Sequence, residues 1–170
     1  MKNLVKVALV AICILSMGSF ANAQQKIGYI NQDAIMAVLP ETKTVQTQIA
    51  ALQKQFQDQL AGLNTEYQKK GEAYQKGQAT MNEAAKAVAI SELNDLQKRG
   101  TDLQQTASQQ IEAKGQELSK PLFEKVRNAV QLVAKEKGYT YVFNTASTDL
   151  IVFPEGDNLE AAVKLKLGLK

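Results

Sequence analysis
The side chains that carry covalent chemistry are almost absent from this sequence. It has no His and one Cys, Cys13, which lies in an apolar N-terminal run. Without His there is no His-based triad. Without a Cys in the body of the chain there is neither a thiol nucleophile nor an ordinary Cys/His zinc site. Carboxylates remain, but they interleave with Lys and Gln. Asp95 and Asp102, one heptad apart, read as solvated groups on a helix surface. No Gly-rich phosphate loop follows a strand-like run. The expectation is a chain that is not an enzyme, with no catalytic, cofactor-binding or metal-ligating residues.

What remains is the chemistry of noncovalent contact. Lys69, Lys70, Lys76 and Lys86 gather near the middle of the chain, against Glu72 and Glu83. Such a cluster reads as a solvated helix face, or as a weak, salt-sensitive attraction for anionic lipid or acidic clients. Nucleic acid is not an expected partner. Binding it calls for a clustered basic face in which Arg is prominent, and Arg99 and Arg127 are the only Arg here. Removing the N-terminal run with Lys2 and Lys6 lowers the 20 basic residues to 18 against 17 acids, a net of +1.

The element that must position these groups runs from Glu41 to about Gly138. It is rich in Gln, Lys, Glu and Ala, with one thin apolar line through it. The line passes Val45, Ile49, Leu52, Phe56, Leu60, Leu63 and Tyr67, and resumes at Leu93, Leu96, Gly100, Leu103, Ala107 and Ile111. Steps of three, four or seven keep one side of a helix toward a partner. The stripe is too narrow to bury much alone, so each helix needs another beside it. Eleven-residue steps, such as Phe56 to Tyr67, predict fairly straight helices.

The line breaks around Lys76–Glu83, where Gly77 can end one helix and Thr80, with Glu83 three residues on, has capping-box spacing for another. The stretch is therefore predicted to double back. Leu63 would then lie near Leu96 to Gly100, and Ile49 near Ile111. The arm glycines, Gly62 and Gly100 among them, each weaken a helix by about 1 kcal/mol relative to Ala. They mark a flexible point, close helix packing or mere tolerance.

The flanks complete the reading. Residues 1–23 carry a charged start, an apolar core and the small-x-small site Ala21-Asn22-Ala23, the pattern of a secretory signal cleaved after Ala23. The mature chain would lie outside the inner membrane, in the periplasm. Ile27, Tyr29 and Ile30 belong to a short strand, followed by a helix over 34–39 capped by Asp33. Pro121 is expected to kink the returning helix where Leu122, Phe123, Val126, Val130, Leu132 and Val133 widen its apolar face. Gly138 is a helix stop. Residues 139–144, with Val142 and Phe143, and 149–153, with Leu150 and Val152, read as a strand hairpin. A last helix over 159–169 is capped by Asp157 or Asn158.

The predicted fold class is thus α+β. A long antiparallel, coiled-coil-like hairpin (41–120) projects from a small β-rich head made of 24–40 and 121–170. A head of this size commonly needs oligomerisation, here through Ile27, Tyr29, Ile30, Val142, Phe143, Leu150 and Val152.

Three blocks carry a family resemblance: Lys26-Ile27-Gly28-Tyr29-Ile30-Asn31, Lys120-Pro121-Leu122, and Val133 to Tyr139 with the strand-like runs after it. Together with the Gln/Lys-rich hairpin they resemble the Skp/OmpH family of periplasmic chaperones. The resemblance implies a homotrimer in which three arms enclose a cavity. Unfolded outer-membrane proteins are held there without ATP, with no cofactor and no catalytic residue. On that view Met81, Val88, Ile90, Tyr67 and Tyr74 are candidates for client contact, although Tyr67 and Tyr74 suit the helix seam equally well. The competing reading is a structural or adaptor coiled coil of the envelope with one fixed partner.

Overall fold
The structure, a computed structural model, describes residues 25–148 and 151–169. The expected signal and Leu150 lie outside them. The chain opens with β1 (Ile27–Ile30) and a short helix α1 (Gln32–Val38). Two long helices follow, α2 (Pro40–Gly77) and α3 (Glu83–Lys137). It closes with β2 (Tyr141–Asn144), a 3-10 turn (Glu155–Asp157) and α4 (Glu160–Lys166).

The two long helices pack side by side as an antiparallel hairpin. Their 38 and 55 residues span about 57 and 80 Å at 1.5 Å per residue. Pro40 occupies the first turn of α2, where its missing N–H costs nothing. The turn falls at 78–82. Thr80 is not the cap of α3, because its N–H and hydroxyl both bond the Gly77 carbonyl and close α2 instead. Asn82 caps α3, its Oδ1 accepting from the Ala85 N–H at 2.8 Å. Pro121 lies inside α3, which continues through it to Lys137. Gly138 then adopts φ 71°, the left-handed conformation that ends a helix, and the Tyr139 N–H reaches back to the Ala134 carbonyl.

The main core lies at the open end of the hairpin. Ile30, Ile35 and Leu39 from the N-terminal segment meet Val126, Ala129 and Val133 of α3, with Leu159 at the start of α4 and Val163 within it. Ile35, Val126 and Val163 are fully buried. Asn31, one residue beyond β1, caps α1 through its Oδ1 on the Ala34 N–H, so Asp33 is not the cap; it sits in the first turn, where a carboxylate favours the helix dipole. The last helix is shorter than 159–169, although Asn158 does hold its start by accepting from the Glu160 N–H.

The sheet differs most from expectation. β1 and β2 pair in parallel, with Ile27 opposite Tyr141 and Ile30 opposite Asn144. The crossover between them consists of α1 and the entire hairpin. Residues 151–153 form no strand, so among the described residues the predicted strand hairpin does not form. The cause is an anchor: the Thr145 N–H bonds the Ile30 carbonyl at 2.8 Å, which holds the chain leaving β2 to the end of β1. The segment ends up on the far side of β1, where Phe153 stacks on Tyr29 at 4.7 Å and Asn158 makes a single bridge to Tyr29.

Gly28 fits this sheet for lack of space. A Cβ there would sit 2.9 Å from Tyr139 Cδ1 and 3.0 Å from Leu159 Cδ1. The Lys26 ammonium lies 4.0 Å above the same Tyr139 ring and donates to the Lys137 carbonyl. The Tyr139 hydroxyl donates to Asp157 Oδ1 at 3.0 Å, and its desolvation, then this bond, raise its pKa. The Lys-Ile-Gly-Tyr block and the Lys-Gly-Tyr block, over a hundred residues apart in sequence, are one contact.

Candidate functional site
Two surfaces expose large apolar side chains. The first is at the base. Alternation along the parallel strands puts Ile27, Tyr29, Tyr141 and Phe143 on one face of the sheet. Phe153 covers Tyr29, which is buried, whereas Ile27 and Phe143 stay exposed. Ile151 and Val152 project furthest, at 93% and 85% exposure. Val142 and Ile30 turn the other way, toward the core. Among the described residues β2 has a ladder partner on one edge only. Phe123 and Leu132, expected in the core, are also about half exposed. Leu132 is six residues from Val126, roughly 120° around the helix from the buried line, a phase the residue types alone conceal.

The second surface is the arm. Its seam is lined by Phe56, Leu96 and Ala107, all buried. Leu63 shares a cleft with Leu96 and Gly100, in the register the sequence predicts. Lys70 bridges the helices to Glu92 at 2.6 Å, and this bond raises its pKa. Near the base Lys125 pairs with Glu41 and lowers that carboxyl's pKa through the hydrogen bond. These are exposed pairs, which position more than they stabilise. Lys76 and Lys86 also pair with neighbouring carboxylates, Glu72 and Glu83.

The five arm residues singled out from sequence do not form one patch. Tyr67, Val88 and Ile90 are exposed, Tyr74 is half-buried in the seam line, and Met81 folds back so that its Cε covers Gly77 in the turn. Val88 and Ile90 are two residues apart, about 200° around a helix, so they point to opposite sides of the arm. Val88 lines a cleft with Glu66, Lys70, Asp95 and Arg99. Among the described residues no three His, Cys, Asp or Glu gather as a metal site, and no helix is long and apolar enough to cross a membrane.

A long two-helix arm with dispersed apolar groups, rooted in a small base with an open strand edge, is a shape with known counterparts. Superposition on the crystal structure of an OmpH-like outer membrane chaperone from Caulobacter crescentus CB15 gives a TM-score of 0.72 over 86% of each chain, at 14% identity, which shows a shared fold. The chaperone protein Skp of Vibrio cholerae is 32% identical over 158 residues, 86% of this chain and 89% of that one. The sequence profile of the OmpH-like outer membrane proteins matches residues 26–167, a span that begins at the Lys26-Ile27-Gly28-Tyr29 strand and ends just after the last helix. The chain therefore belongs to the Skp/OmpH-like family of outer membrane chaperones.

Proposed function
We propose that this protein is an ATP-independent periplasmic holdase that keeps unfolded outer-membrane proteins from aggregating. The observation that carries the reading is the arm itself: an α-hairpin whose exposed large apolar groups, Tyr67, Val88 and Ile90, lie on its outer half and on different sides instead of in one patch. Such a surface covers unfolded chains loosely and tolerates many sequences, where one deep pocket selects a single ligand. The chain is divided into a signal (1–23), an arm (41–120) and a head (24–40 and 121–170).

The head joins three copies, so that the arms surround a cavity. The open edge of β2 and the exposed Ile27, Phe143, Ile151 and Val152 support association there, since an unpaired edge beside apolar surface invites pairing with another chain. Contact with anionic lipid is weak and centred on Lys69, because its neighbours Lys70, Lys76 and Lys86 already face carboxylates.

The direct test dilutes a urea-unfolded outer-membrane β-barrel protein into buffer with and without the protein, and follows light scattering. Suppression without nucleotide is expected. Scattering that rises equally in both would overturn the holdase reading, and a monomeric molar mass in dilute solution would overturn the cavity.

A further inference from the structure
At the level of Leu96 the two sides of the arm carry different chemistry. One cleft is lined by Glu66, Lys70, Glu92, Asp95 and Arg99, with the Lys70–Glu92 pair across it. The cleft on the opposite side of the seam, about 240 Å³, is lined by Leu60, Leu63, Tyr67 and Gly100 with a rim of Asn64, Gln97, Thr101 and Gln104. No charged side chain lines it.

The neutral side extends along α2. Gln46, Gln53, Gln57, Asn64, Gln68 and Gln75 follow one another at steps of seven, four, seven, four and seven. Each pair of steps sums to eleven, close to three full turns, so the row stays on one line of a straight helix. All six are exposed. On α3 the same side continues through Gln97, Thr101, Gln104 and Ser108, also exposed.

We propose that this amide-lined side faces the cavity and binds extended segments of the unfolded client, while the ionic side faces outward. The inference rests on the holdase reading and names its binding surface. An extended segment brings unpaired backbone N–H and C=O groups that need partners once water is displaced. Side-chain amides donate and accept together, whereas a carboxylate only accepts and an ammonium only donates. Covering ions also costs far more than covering neutral amides. The notch at Gly100, where a Cβ would meet nothing within 4 Å, receives an apolar client side chain against Leu60 and Leu63. Tyr67 belongs to this side and Val88 to the other, and Ile90, about 200° around α3 from Val88, falls with Tyr67.

The test uses single cysteines in the full protein with Cys13→Ser. Gln57→Cys and Gln104→Cys report the amide side, and Glu66→Cys and Asp95→Cys the ionic side. The probe is a Cys-free, urea-unfolded outer-membrane β-barrel protein, and the readout is the rate of labelling by a water-soluble maleimide. With client at about ten times its Kd, labelling should slow about tenfold at the first two positions and by less than about twofold at the others. Equal slowing on both sides, slowing only on the ionic side, or no slowing while the client stays soluble overturns the assignment of faces. A client that aggregates despite the wild-type protein removes the holdase reading, and this one with it.

Discussion
Replacing Gly62 and Gly100 by Ala should stabilise the arm. Each glycine lies within a long helix, and a Cβ built at either position meets no heavy atom within 4 Å. Close helix packing therefore does not explain them. With no clash to offset it, each substitution should recover the helix-propensity difference, about 1 kcal/mol, or about 2 kcal/mol for the pair. For a chain of this size that corresponds to a rise in Tm of about 4–8 °C. Locally it corresponds to amide exchange about thirtyfold slower around the two sites, if exchange there proceeds through opening of the arm.

The assay is a thermal melt followed by circular dichroism, with hydrogen exchange resolved along the arm and small-angle scattering to read its spread. The double variant should melt higher, exchange more slowly over the mid-arm, and scatter with a narrower range of arm positions. A lower Tm would show that the glycines make room for something the single chain does not contain, such as a neighbouring copy. Unchanged exchange with unchanged scattering would show that the arm does not yield at these positions, and the softening argument would fail.

Other perturbations test the base and the turn. Gly28→Ala should destabilise by about 1–3 kcal/mol, because the added methyl overpacks Tyr139 and Leu159; an unchanged melt would mean the sheet shifts freely. Asn82→Ala should cost about 1 kcal/mol as a lost helix cap. Thr80→Ala should cost less in the same melt, and the reverse order would restore Thr80 as the cap. Lys125→Gln should lower stability near neutral pH through Glu41. Glu41 has its folded pKa depressed by this pair, so its contribution is present above its unfolded pKa and lost as pH falls through the folded one. Wild type and variant should therefore converge in acid, and a gap that widens there would contradict the pairing.

The features written in local spacing were legible in the sequence. A stripe too narrow to stand alone, broken once near Gly77, implies a second helix antiparallel to the first, and Leu63 does meet Leu96 and Gly100. The caps were less so, since one hydroxyl has several possible uses. Thr80 has capping-box spacing, yet its hydroxyl closes the preceding helix. The row of amides was present in the sequence, but a stripe of exposed Gln looks like any solvated face until the opposite side is seen to hold the ions. Strand partners were the least legible. β-branched residues announce that a segment suits a sheet, but not which edge it will find.

Residues 151–153 show why. Their composition predicts a strand, and Ile151 and Val152 are among the most exposed apolar residues described. A strand needs a neighbour, and the chain leaving β2 is led toward β1 and away from the outer edge of β2. β2 is held to β1 by the ladder, and the Thr145–Ile30 bond holds the chain leaving it there. On its other side β1 carries the Phe153 stack and the Asn158 bridge. Among the described residues the intrinsic preference of Ile151 and Val152 is thus unmet, while the outer edge of β2 also lacks a partner. Two unmet requirements of complementary kind, a strand-forming segment and an open strand edge, are satisfied together if the segment of one copy lies along the edge of the next. That arrangement is heterologous, and it closes into a ring if its rotation divides the circle. It predicts that Val152→Pro, which removes a donor from the added strand without touching the buried core, shifts the molar mass toward monomer while the helical signal persists. A variant that keeps the assembled mass would place the junction elsewhere on the base.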